Sequence, residues 1–186
     1  MPGPSDKKID PHMKNISVLA LVPFVFACSL GGPLREDKSA NNYQLPSPGA
    51  DWMLEKFKEI DADKVYLNKK SSAMISVSSL CGRYDGASLE SLMKSAHSPL
   101  QGLDILENQD LIIDGRAALR RHVKAKMDGV PVDVLSTVVR KDDCIFDFHL
   151  QKAHNLSSDD VASYENMLKG FHYGRSEYHH DQSAKK

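Results

Sequence analysis

The sequence predicts an α+β domain: a largely antiparallel sheet with helices packed on it. Three observations lead there. Four strand-like stretches follow one another between residues 103 and 150, broken only by turn signals. Two segments with helical spacing lie outside that run, and no internal repeat appears in the 186 residues. A hydrophobic content of 41% suffices for one core, and 26% charged residues suit a solvated surface. A formal net charge of −1, with no long basic block, argues against nucleic acid as a partner.

Each element has its own local cause. Trp52, the single tryptophan, marks the start of the folded part as a core anchor. Residues 64–68 (KVYLN) and 73–79 (AMISVSS) read as strands, the second with Ile75 and Val77 on one face. Residues 88–97 read as a helix: Ser88 caps it, Leu89, Leu92, Met93 and Ala96 share a face, and Pro99 stops it. Residues 103–113 and 117–127 are strands. Asp128-Gly129 is a hairpin turn, and residues 130–140, rich in β-branched side chains, return from it. Lys141-Asp142-Asp143 turns the chain again into a strand over 144–150. Ser158 caps a last helix carrying Val161, Tyr164, Met167, Leu168 and Phe171, which Gly174 closes.

This strand–strand–helix–four strands–helix order resembles the Mog1/PsbP-type α/β/α sandwich. The motifs Asp114-Gly-Arg-Ala-Ala-Leu119, Asp128-Gly-Val-Pro-Val132 and Asp143-Cys-Ile-Phe-Asp147 are similar to those of small bacterial lipoproteins with such a domain. The resemblance covers residues 50–173. It implies a fold and no activity, because one fold hosts many unrelated functions.

The N-terminal segment reads as an address. Lys7, Lys8 and Lys14 precede an apolar run of about a dozen residues, Ile16 to Ala27, the length of a signal-peptide core. A membrane-spanning helix needs roughly 20 residues, and Pro23 would break this one. The run ends at Val25-Phe26-Ala27-Cys28, which resembles the lipobox of bacterial lipoproteins; Phe26 departs from the small residue usual there. The resemblance implies cleavage before Cys28 and fatty acylation of its sulfur and new amino group. Ser29, in place of an inner-membrane-retaining aspartate, favours the periplasmic face of the outer membrane. The alternative is a buried N-terminal element with an ordinary core cysteine. Met13-Lys14-Asn15 reads as a more natural start than Met1. Removing the three lysines and two aspartates before Cys28 leaves 21 basic and 23 acidic residues, a net charge of −2, so lipid and not charge must hold the protein to a bilayer.

The expected organisation is therefore an upstream segment and signal peptide (1–27), a lipid-anchored tether rich in Gly, Pro, Ser and Asn (28–50), the α+β domain (51–174) and a disordered tail (175–186). With Cys28 lipidated, Cys81 and Cys144 remain as one even pair at strand ends in an oxidising space, and a disulfide is expected; two separate buried thiols are the alternative.

Candidate sites are sparse. A nucleophile loop at Cys81 would need Arg six positions later, where Ala87 stands, and Arg83 reads as solvating the turn. No HExxH, CxxC or GxSxG occurs, so no metal, cofactor or catalytic triad is expected. His149 and His154 are poorly spaced for chelation, and His172, His179 and His180 read as a solvated end. Asp147 is expected to face outward between Phe146 and Phe148, with Asp143 as a conceivable carboxylate partner. Arg116, Arg120 and Arg121 form a basic stretch with two readings: a charged strand edge that resists aggregation, or a docking patch for an acidic partner. The functional expectation is a lipid-anchored envelope module that binds or scaffolds a protein partner in a transport or assembly complex. Its rivals are a carrier of a small apolar or lipidic ligand and an enzyme with a non-contiguous site built from His122, Asp147 and Arg116.

Overall fold

Asp114-Gly115, Asp128-Gly129 and Asp142-Asp143 carry positive φ at both residues: 49° and 74°, 52° and 83°, 49° and 63°. Two-residue turns of this hand match the twist of antiparallel strands, and aspartate and glycine tolerate the left-handed region. They convert one stretch of chain into a four-stranded meander. The structure, a computed structural model, describes residues 40, 42–58, 60–82 and 86–174, all within one unit, Arg35–Lys186.

In chain order the elements are β1 (Tyr43–Gln44), β2 (Trp52–Glu55), β3 (Lys64–Asn68), β4 (Met74–Cys81), α1 (Leu89–Ala96), β5 (Gln101–Ile113), β6 (Arg116–Met127), β7 (Val130–Lys141), β8 (Cys144–Ala153), α2 (Ser158–Lys169) and β9 (His172–Tyr173). Seven strands form one sheet in the order β2-β3-β4-β8-β7-β6-β5, and β1 pairs with β9 apart from it. Every pairing is antiparallel. Four successive antiparallel steps separate β4 from β5, so these two run parallel, and the chain between them must cross a face of the sheet. That crossing is α1. It packs Leu92 and Met93 on Leu119, Val138 and Ile145. The other face takes α2, whose Tyr164, Met167 and Leu168 pack with Ile75, Leu135, Val139, Phe146 and Phe148. This is the expected α+β class, with one helix on each face.

The folded part begins earlier than Trp52. Trp52 is a core residue as expected, but Ala40 is buried, its N–H donates to the Ser79 hydroxyl at 2.8 Å, and Tyr43 pairs in register with Tyr173. Residues 40 and 42–50, expected to belong to the tether, are thus part of the folded domain, and residues 28–39 lie outside the described residues. A two-residue strand held only by its distant partner leaves no periodic signal in sequence.

The last helix also differs at both ends. Its N-cap is Ser157, not Ser158: the Ser157 hydroxyl accepts from Asp160 N–H while the Asp160 carboxylate returns to Ser157 N–H, a reciprocal capping box. Its C-cap is Gly170, not Gly174. A Cβ at Gly170 would stand 2.5 Å from Pro46 Cγ, so the approach of the N-terminal segment demands glycine there. Phe171, freed from the helix, enters the aromatic core 4.9 Å from Phe146 and 5.1 Å from Phe148, ring centre to ring centre.

Asp114 holds the C-terminal strand in place. Its carboxylate accepts from Tyr173 N–H at 2.8 Å, pairs with His172 Nδ1 at 2.9 Å and binds the Lys141 ammonium. Burial opposes its ionisation, yet these three donors hold its carboxyl down to about 2.

Candidate functional site

Side chains alternate between the two faces along β8, which lies near the middle of the sheet. Phe146, Phe148 and Leu150 join the α2 core; Ile145 joins the cluster under α1, and Asp147 and His149 share its face. Asp147 therefore does lie opposite its flanking phenylalanines, but it does not point into solvent. It lines a groove of about 330 Å³ with Leu80 of β4, Ile145, Ala87, and Ser91, Leu92, Ser95 and Ala96 of α1. Its Oδ1 is buried without a hydrogen-bond partner among the described residues. Burial alone pushes its carboxyl up to about 6.

The groove exists because polar links pin α1 at both ends. At its first turn, Glu90 takes both of its hydrogen bonds from Arg121, at 2.7 and 2.8 Å, and Arg121 Nε donates to Asn108 at 2.9 Å. At its C-cap, His97 Nε2 lies 2.9 Å from the Ser136 hydroxyl, which lies 2.8 Å from His149 Nδ1. Ser136 is fully buried, so this chain is a polar piece of core rather than an exposed nucleophile. A hydroxyl between two imidazoles can donate to one and accept from the other. Burial pushes both histidines down to about 4, with the Arg121 charge adding to the effect at His97, so both are neutral near pH 7.

The three arginines expected to form one patch do not form it. Successive residues of β6 face opposite ways: Arg120 turns toward α2, where it binds Glu165 at 2.8 Å and Glu107 at 2.7 Å, and Arg121 turns toward α1. Arg116 sits at the hairpin end, paired with Asp142 at 3.2 Å. Nor does the structure bring His122, Asp147 and Arg116 together. His122 lies on the α2 face, 2.5 Å from buried Asp133, whose second oxygen accepts from Leu156 N–H. Asp143 stays at its turn. His172 binds Asp114, while His154 is exposed with φ of 72°. Cys28, Arg83, His179 and His180 lie outside the described residues. Among the described residues no group of three or more His, Cys, Asp or Glu is arranged to hold a metal, and no helix is long and apolar enough to cross a membrane.

Cys81 and Cys144 form a disulfide. They are direct partners in the β4–β8 register, with Cα atoms 4.0 Å apart, so the bridge ties the ends of two adjacent strands. Sequence reasoning missed Ser136, His97 and Asp133. The available signal was a polar residue interrupting an apolar strand, as Ser136 and Asp133 do in VPVDVLSTVV.

The sheet and its two helices define a PsbP-like α+β fold. The solution structure of cyanobacterial PsbP (CyanoP) from Synechocystis matches with a TM-score of 0.50 at 14% identity, covering 77% of this chain and 98% of that one. A Bacteroides thetaiotaomicron protein matches with a TM-score of 0.51 at 9% identity, over 72% of this chain and 46% of its own. LpqN of Mycobacterium tuberculosis, involved in cell envelope biogenesis, matches at 0.49 and 14% identity over 73% of this chain and 84% of that one. No family model and no curated protein matches in sequence. At these identities the likeness is one of fold alone.

Proposed function

We propose that this chain is an envelope protein held to a membrane by lipid on Cys28, with its PsbP-like domain acting as a binding or scaffolding accessory module rather than as an enzyme. The observation that carries the reading is the Cys81–Cys144 disulfide. A structural disulfide fits an oxidising compartment outside the cytosol, and this one leaves Cys28 as the odd cysteine of three, the position a lipobox reserves for acylation. A surface for a partner is available at β5. This strand, at the edge of the sheet among the described residues, exposes Leu103, Ile105, Leu106 and Ile112, the last 74% exposed, and a sheet edge offers backbone groups for pairing.

Measurements of anchoring and of partnership test the proposal. Mass analysis of the native product is expected to find an acylated N-terminal Cys28, and Cys28→Ala is expected to move the protein from membranes to the soluble fraction. An unmodified N-terminus upstream of Cys28 would end the anchoring claim. A photo-crosslinking residue at position 112 is expected to give one defined adduct in membranes. Recovery of the protein alone, together with turnover of a substrate panel, would overturn the accessory role.

A second reading, a carrier of a small apolar or lipidic ligand, is favoured by the groove beneath α1. Its volume falls at the lower end of the roughly 300–1,000 Å³ usual for small-molecule sites.

A further inference from the structure

We propose that the groove between α1 and the β4–β8 strands binds an apolar molecule bearing a cationic ammonium head, with Asp147 as the counter-charge. The proposal rests on the carrier reading and adds the chemical class of the cargo.

Shape and charge agree on that class. Leu80, Leu92 and Ile145 give the groove apolar walls suited to a hydrocarbon chain. Of the described side chains that line it, Asp147 is the one that ionises. A buried carboxylate oxygen without a donor is costly, and the surrounding fold supplies none: Oδ1 has no partner among the described residues. Among the described residues, two cations near α1 are committed elsewhere. Arg121 is held by Glu90 and Asn108, and Arg140 donates to the Ala87 carbonyl at 3.0 Å at one end of the groove. A ligand that brings an ammonium group restores the missing partner. A carboxylate ligand would set like charges together, and an uncharged one would leave the anion unneutralised.

The helix offers the rest of the head-group site. Ser91 and Ser95 stand four residues apart on α1, hence on one face, and both line the groove. An ammonium has three N–H donors; one serves Asp147 and two remain for the serine hydroxyls. The site discriminates by head group, and its apolar walls accept any chain that fits.

The test uses the full chain at pH 7.5 with three probes below their micelle concentrations: decylammonium, decanol and decanoate. Binding is followed by calorimetry and by the amide resonances of Ser91, Ser95 and Asp147. Decylammonium is expected to saturate the groove at least tenfold more tightly than decanol, with decanoate weakest. Asp147→Asn is expected to bring decylammonium down to the decanol level, while Asp159→Asn, an exposed acid on α2, leaves it unchanged. Saturable binding with equal affinity for all three probes, or tight decylammonium binding that survives Asp147→Asn, would overturn the head-group assignment and leave the carrier reading standing. Failure of all three probes to bind would remove both.

Discussion

On the α2 side of the sheet, Phe146, Phe148 and Leu150 are fully buried under Tyr164, Met167 and Phe171; on the α1 side, the same strand presents Asp147 and His149. The centre of the α2 face is closed, although at its edge a groove of about 440 Å³ remains between α2 and β5–β6, where buried Arg120 Nε has no partner among the described residues. Tyr164, itself buried, donates its hydroxyl to the Phe148 carbonyl at 3.0 Å and lies 2.9 Å from the Thr137 hydroxyl. The α1 face is covered by a helix of eight residues that buries only Leu92 and Met93, and it keeps a groove, a carboxylate oxygen without a partner among the described residues and a chain of neutral histidines. The difference teaches where this fold keeps its stability and where it has room for a ligand. Close packing leaves no space for a guest, so the aromatic centre under α2 is no binding site, and room for a ligand lies in the grooves beside the two helices.

The largest expected effect lies on the closed face. Phe148→Ala removes a fully buried ring from the aromatic cluster and is expected to cost about 4 kcal/mol in urea unfolding. A loss below about 1 kcal/mol would mean the α2 core is not the main source of stability.

Next comes Asp147→Asn on the open face, with the opposite sign. The native carboxyl titrates near 6, above its unfolded value of 3.8, so the native state keeps a proton that the unfolded state releases. Stability is therefore lost as pH rises from about 4 to 6, and the penalty is fully present at pH 7. The Asn variant is expected to be more stable than the parent by about 1–2 kcal/mol at pH 7.5, with the difference gone by about pH 4. A pH-independent difference in urea midpoints would refute the burial argument.

The smallest effect compares the two helix starts. Ser157→Ala breaks a reciprocal capping box and is expected to cost about 1 kcal/mol, whereas Ser88→Ala removes a single acceptor of Ser91 N–H and is expected to cost about half of that. Amide exchange along α1 and α2 in the two variants checks the ranking. Equal costs would blur the contrast between the helices.

Much of this architecture could be read residue by residue. The Asp-Gly turn at 128–129, the β-branched run that follows and the helical spacing of Leu89, Leu92 and Met93 depend on interactions within a few residues, and these elements stand as expected. The pairing of β1 with β9 was not readable, since Tyr43 and Tyr173 meet only because Asp114 captures the Tyr173 N–H and Gly170 lets Pro46 approach. The candidate site divides the same way. The pairing of Cys81 with Cys144 was expected from their places at strand ends once Cys28 was set aside; that Arg120 and Arg121 part company was implicit in strand alternation, but their partners, Glu165 of α2 and Glu90 of α1, followed only once both faces acquired a helix.

What the chain by itself determined was alternation. A strand sends neighbouring side chains to opposite faces whatever lies above them, so Phe146 and Asp147 were bound to separate. The tertiary structure alone decided what each face would meet. The crossing from β4 to parallel β5 carries α1 over Asp147, and desolvation by that distant segment turns an aspartate that sequence reads as solvated into a half-buried acid with a raised pKa.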